Sequence, residues 1–163
     1  MGIELCGYKV QIDEEDYDRV MALHWGIDKA AIKRRHGLVY FFHSFRDSGE
    51  KRYYRVALHR YILGLAHNNG LVVDHINGDT FDNRKCNLRI CTSAENSKNA
   101  RTPITNTSGY KGVSYRRHTN RYISRIRVNN EGIYLGSFDT PEEAYVAYCN
   151  ASKKYHGEFG RTK

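Results

Sequence analysis

Short β-rich hydrophobic runs alternate with polar turns over the first 65 residues, at positions 8–12, 38–42 and 53–58, and this pattern predicts hairpins around one short helix. That helix is expected over residues 14–24. Asp13 is its expected N-cap, and Tyr17, Val20, Met21, His24 and Trp25 recur at helical spacing. A further helical turn or two is expected over residues 58–65, ending near Gly64. Residues 71–76 and 87–92 are again β-rich and are separated by a loop. Residues 93–100 can form a helix capped by Thr92 or Ser93, with Glu95 or Asn96 in its first turn. The expected order in this part is strand, loop, strand, helix.

Residues 102–109 are polar, rich in helix and strand breakers and without periodicity, and read as a flexible linker. Three more strand-like runs follow at 113–115, 122–128 and 133–138, with turns at 118–120 and 129–132. A helix is predicted from Pro141, capped by Thr140, with Ala144, Tyr145, Ala147, Tyr148 and Ala151 as its packing stripe. A period of two in the middle strand puts Tyr122, Ser124, Ile126 and Val128 toward that helix. Arg121, Ile123, Arg125 and Arg127 then share the open face. The fold class is α+β, with no internal repeat or low-complexity tract.

With 163 residues the chain makes one ordinary domain or two small ones. A formal charge of +8 and a pI near 9.3 suit a polyanionic partner such as nucleic acid. Thirteen Tyr and six Phe supply apolar surface for compact cores and exclude a disordered tail. Cys6, Cys86, Cys91 and Cys149 are scattered without a Cys-x-x-Cys pair, so no structural zinc and no disulfide framework is expected. No apolar run reaches the length of a membrane span, and Glu4 interrupts the N-terminal apolar patch; a cytoplasmic protein, intact from Met1 and without a membrane partner, is expected.

The chemistry concentrates in residues 72–99. Asp74 and His75 stand together at the end of an expected strand, followed by Asp82-Asn83-Arg84, Asn87-Leu88-Arg89, Asn96 and Asn99. A carboxylate and an amide oxygen can hold a hard divalent cation, and a neighbouring imidazole can take a proton from water. Such a set suits cleavage of a phosphodiester. Taken with Leu58-His59-Arg60 ahead of it, the segment resembles the HNH endonuclease ββα-metal fold, in the branch related to phage and intron-encoded homing endonucleases, with Asn in place of the final His. That resemblance implies that Asp74 and Asn96 ligate one Mg²⁺ or Mn²⁺. It also implies that His75 is the general base and that Asn87 orients the imidazole through its side-chain carbonyl. His59 either contacts phosphate, supports the site or packs beneath it. Arg60, Asn83, Arg84, Arg89 and Asn99 are supporting residues.

Tyr110 to Tyr115, Leu135-Gly136-Ser137-Phe138, Glu142-Glu143-Ala144, Ala147-Tyr148 and His156 to Phe159 resemble the APETALA-type, ethylene-response-factor-like DNA-binding domain over roughly the last 55 residues. The resemblance implies a three-stranded antiparallel sheet packed on one helix, with Lys111, Arg116, Arg121, Arg125, Arg127 and Tyr134 as contacts to double-stranded DNA. Ser114 stands where plant members commonly have a basic residue and Tyr134 where they have tryptophan, so recognition of the plant target is not expected.

The expected organisation is an HNH nuclease domain over 1–101, with its ββα-metal core at about 58–100, a linker over 102–109 and a DNA-binding domain over 110–163. The expected function is a metal-dependent, site-directed DNA endonuclease of nicking or homing type. It would act as a monomer in a bacterial host cell and be encoded by a phage or mobile element. The rival is a non-catalytic DNA-binding regulator that retains the nuclease fold, against which the intact Asp74, His75, Asn87 and Asn96 argue. An RNA-binding protein would leave those four residues unexplained.

Overall fold

The computed structural model describes residues 1–34, 37–46, 49, 52–65, 70–103 and 105–162; Ile104, within the stretch read as a linker, lies outside them. The chain divides into two compact units, Met1–Ser93 and Ala94–Lys163.

The first unit opens with a hairpin of β1 (Gly2–Leu5) and β2 (Tyr8–Gln11), closed by a two-residue turn in which Cys6 and Gly7 both have positive φ. Its inward side chains Ile3, Leu5 and Val10 are buried. A single 3₁₀ turn over Glu14–Asp16 leads into α1 (Tyr17–Met21), so the expected helix is shorter than its apolar spacing suggested. Asp13 makes no side-chain cap there; its carboxylate accepts the Lys85 backbone N–H at 2.7 Å. Then come β3 (Gly26–Ile27), α2 (Lys29–Arg34), β4 (Phe41–Arg46), β5 (Tyr53–Ala57) and α3 (Leu58–Ile62), with sheet order β3-β4-β5.

The strand expected at 38–42 starts only at Phe41. Val39 and Phe41 are both buried in the core, so hydrophobicity there marks packing rather than pairing. β6 (Val72–His75) pairs antiparallel with β7 (Leu88–Cys91), and α4 (Ser93–Lys98) follows in the chain. One core joins Ile3, Leu5, Val10 and Ile12 of the N-terminal segment to Phe41, Leu58, Ile62, Val73 and Leu88. The N-terminal hairpin is therefore part of the platform beneath the β6–β7 pair.

The second unit is a three-stranded antiparallel sheet, β8 (Val113–Arg116), β9 (Arg121–Val128) and β10 (Glu131–Phe138), packed on α5 (Pro141–His156). Local signals set each corner. Asn129 and Asn130, both at positive φ, make the two-residue β9–β10 turn, and Thr140 Oγ1 accepts the Glu143 N–H at 3.3 Å, with Pro141 in the first helical turn. Ile126, Tyr148 and Ala151 form the buried centre, flanked by Val128, Ile133, Leu135 and Tyr145. A bulge between Tyr134 and Gly136 brings the Phe138 ring to 2.8 Å from where a Cβ on Gly136 would stand, so only glycine fits there.

The C-terminal part of the supposed linker is tied down. Asn106 Nδ2 donates to the carbonyls of Tyr110 (2.9 Å) and Val113 (3.3 Å), and Ser108 Oγ donates to Val113 at 2.9 Å. No helix among the described residues is long and apolar enough to cross a membrane.

Candidate active site

β6 ends in Asp74-His75, opposite Arg89 and Leu88 of β7. Residues 76–87 form a loop with little regular structure, so its shape depends on side chains bonding to backbone. Asn77 Oδ1 accepts the Asp79 N–H at 2.7 Å and Asp79 Oδ1 accepts the Phe81 N–H at 3.0 Å, two successive Asx turns. Asp82 receives the Arg84 guanidinium through two bonds of 2.8 Å, which holds its carboxyl below the usual carboxylate range. The far side of the loop is hydrogen-bonded to β2. Gln11 N–H donates to Phe81 O and Asn83 N–H donates to Gln11 O, both at 2.8 Å, while the Tyr8 and Phe81 rings stack at 5.6 Å.

His75 is buried at the start of this loop. Its Nε2 lies 3.2 Å from Asn83 Oδ1, and Asn83, 1% exposed, is itself fixed by donation from Nδ2 to Thr80 O at 3.1 Å. An amide oxygen can only accept, so Nε2 carries the proton and the basic lone pair belongs to Nδ1. Burial lowers the His75 pKa, partly offset by the Asn83 bond and by the charges of Asp74, Asp79 and Asp82, and the ring is neutral at neutral pH. The His59 ring meets it edge-on at 5.2 Å, and Tyr40 lies 5.5 Å from His59 and 6.2 Å from His75. His59 is thus a packing neighbour of the imidazole.

Asn87 does not take the role expected of it. Its Oδ1 accepts the Asn77 N–H at 3.0 Å and its Nδ2 donates to Asp82 O at 2.8 Å, so its buried amide clasps the two ends of the loop. Backbone groups left unpaired by the irregular loop engage that amide. The carbonyl that orients the imidazole is that of Asn83. The Asp82-Asn83-Arg84 run already marked this segment in the sequence; the signal for Tyr40, Gln11 and Asp13 is absent from it, because all three act across long sequence separations.

Asp74 is buried, and its Oδ2 accepts from Arg89 Nε at 2.9 Å and Nη2 at 2.6 Å across the strand pair. Arg60 Nη1 donates to Leu71 O at 2.7 Å, joining α3 to the approach to β6. Asn96 is half-buried on α4 and Asn99 is buried just after it, both in the second unit, whereas Asp74, His75, Asn83 and Asn87 come together in the first. Among the described residues no group of three or more His, Cys, Asp or Glu could hold a metal ion. The Asp74 carboxylate and asparagine carbonyls are nevertheless the hard oxygen donors that Mg²⁺ or Mn²⁺ takes, with phosphate and water filling the remaining positions.

In the second unit Arg125 and Arg127 stand exposed on β9, Arg116 is exposed on β8, and Tyr134, 57% exposed, pairs in register with Arg125. Two positions, Ile123 and Arg121, depart from the expected open face, and Lys111, expected as a contact, is engaged elsewhere. Ile123 is buried. Arg121 donates to Ser137 Oγ (3.0 Å) and Ser137 O (2.9 Å) and pairs with Asp139 at 3.0 Å. Lys111 donates to the carbonyls of Lys98 and Ala100.

An HNH endonuclease family model matches residues 56–98, which include all four positions expected to be catalytic or metal-binding. An AP2 domain model matches residues 108–158. Protein 3.8 of Escherichia phage T7 is 32% identical over 92 residues, which make up 56% of this chain and 75% of that protein. The chain belongs to that phage protein's family. It carries an HNH endonuclease domain followed by an AP2 domain, the DNA-binding fold expected of its C-terminal part. Among plant proteins, the AP2-like ethylene-responsive transcription factor TOE2 of Arabidopsis thaliana and the APETALA2-like protein 2 of Oryza sativa subsp. indica are each 40% identical over 60 residues. Those 60 residues are 37% of this chain but 12% and 14% of the plant proteins, so the likeness concerns the AP2 domain alone. No solved structure matches the chain.

Proposed function

We propose that the protein is a metal-dependent, site-directed DNA endonuclease of nicking or homing type, with its HNH domain over 1–101 and its DNA-binding domain over 110–163. The observation that carries this reading is the buried, neutral His75, whose Nε2–H is held by Asn83 beside the Asp74 carboxylate. Nδ1 of that imidazole takes the proton from the attacking water, and Asn83 keeps the ring in the tautomer this requires. Asn87 shapes the loop that presents it. Asp74 and Asn96 would hold a single Mg²⁺ or Mn²⁺, which when bound supplies charge stabilisation to the scissile phosphate and the leaving 3′ oxygen. Arg116, Arg125, Arg127 and Tyr134 supply contacts to double-stranded DNA, with guanidinium groups on phosphates or guanine edges. The kinship with a phage protein supports a phage or mobile-element gene, and the product is read as a monomer acting in the bacterial cytoplasm.

One observation favours a second reading. Arg89 already balances Asp74, as in a protein that keeps the fold to bind DNA without cutting it. Incubating the purified protein with supercoiled plasmid in Mg²⁺, Mn²⁺ or EDTA decides between them. Nicked or linear product that depends on the cation and disappears with His75→Ala supports the nuclease. Binding with no product under any condition leaves the regulator.

A further inference from the structure

We propose that Lys111 is a positioning residue of the nuclease reaction, clamping the C-terminal end of α4 so that Asn96 is held in place. This rests on the nuclease reading for its catalytic meaning, but the clamp itself stands on geometry within the second unit. α4 has six residues, too few to be stable on its own. Lys111 Nζ lies 2.7 Å from both Lys98 O and Ala100 O. Asn96 O meanwhile accepts the Asn99 N–H at 3.1 Å, so the turn after Asn96 is tied from both sides. A cation at a helix C-terminus also complements the helix dipole.

The base from which Lys111 reaches is rigid. Gly112, at positive φ, accepts the Arg125 N–H at 2.8 Å, and a Cβ on it would meet the Tyr148 ring at 2.1 Å, so the backbone at this point is pressed against the core of sheet and helix. Lys111 therefore joins β9, which carries Arg125 and Arg127, to the helix that carries Asn96. A half-buried ammonium with backbone carbonyls for partners is an unusual placement for a groove contact; burial, with Arg161 nearby, brings its pKa down to about 8.

The test uses the full chain with Lys111→Met, which keeps the apolar stem, and Lys111→Arg, which restores donors. Hydrogen exchange of the segment 97–101 should accelerate about tenfold in the Met variant, with β8–β10 unchanged, and return toward wild type in the Arg variant. Turnover at saturating plasmid should fall about 10- to 100-fold, while DNA affinity changes less than about threefold. If the Met variant folds poorly, Lys111→Gln, which keeps an N–H donor, should give an intermediate exchange rate. Unchanged exchange in every variant overturns the clamp. Loosened DNA binding with intact turnover also overturns it and makes Lys111 a DNA contact. A wild-type protein that binds but never cuts would defeat the nuclease reading instead, and the exchange measurement would still judge the clamp.

Discussion

Around His75 the polar groups are buried and bonded to one another, whereas on β9 Arg125 and Arg127 are exposed. On the proposed reading, the contrast follows from what each surface would do. A general base works when its tautomer and pKa are set in advance, which takes burial and fixed partners such as Asn83 and Thr80. A surface that docks a polyanion gains from releasing counterions, which takes accessible charge and little pre-set geometry. Single substitutions should therefore act through different quantities in the two places.

The largest effect is expected from His75→Ala, which should lower cleavage at saturating protein by about 10²–10⁴-fold while DNA affinity stays close to wild type. Parallel gel-shift and plasmid-nicking assays measure both; wild-type cleavage by the variant would remove His75 from the chemistry. Arg89→Leu should come next, in stability. It removes the guanidinium that pairs with the buried Asp74 carboxylate, a loss that typically costs about 3–5 kcal/mol, and added Mn²⁺ should then raise the melting temperature more than it does in wild type. An equal Mn²⁺ shift in both proteins would show that Asp74 does not bind the cation.

Asn83→Ala should cost about 1–3 kcal/mol, because it leaves Thr80 O and the imidazole N–H without their buried partner. It should also move the acid limb of the cleavage profile. His75 already titrates below its ordinary 6.5 and the Asn83 bond raises it, so removing that bond lowers it further and activity should persist to lower pH. By the same linkage, acid favours the unfolded chain, which binds the proton more readily, so this part of the stability declines as pH falls below 6.5. Smallest are Arg125→Ala and Arg127→Ala, each expected to reduce the slope of binding against salt by about one while leaving the rate at saturation unchanged.

The same contrast explains what could be read from the sequence. The second unit was legible almost strand by strand because its signals are local: Asn129-Asn130 at a tight turn, Thr140-Pro141 at a helix start, and alternation along β9. The HNH match over residues 56–98 was legible as residue types at a family spacing. The partners within the site were not. Asn83 rather than Asn87 reaches the imidazole because an irregular loop, not a helical or strand period, decides where those side chains lie. β1, β3 and α2 were missed for lack of length: strands of four and two residues and a helix of six carry too little periodicity to stand out. Lys111 was read from its family position alone, and its interaction with the carbonyls of Lys98 and Ala100 is visible only in three dimensions.

The strand β2 lies some seventy residues upstream of the loop it supports, and this separation limits how far the protein can be reduced. A fragment cut to the matched HNH segment, 56–98, would keep Asp74, His75 and Asn96 but lose Gln11, which bonds to both Phe81 and Asn83, and the Asp13 carboxylate that receives Lys85. The smallest fragment that keeps the loop's shape is thus set by strand β2 as well as by the matched segment itself. During synthesis β2 leaves the ribosome some seventy residues before the loop that it holds.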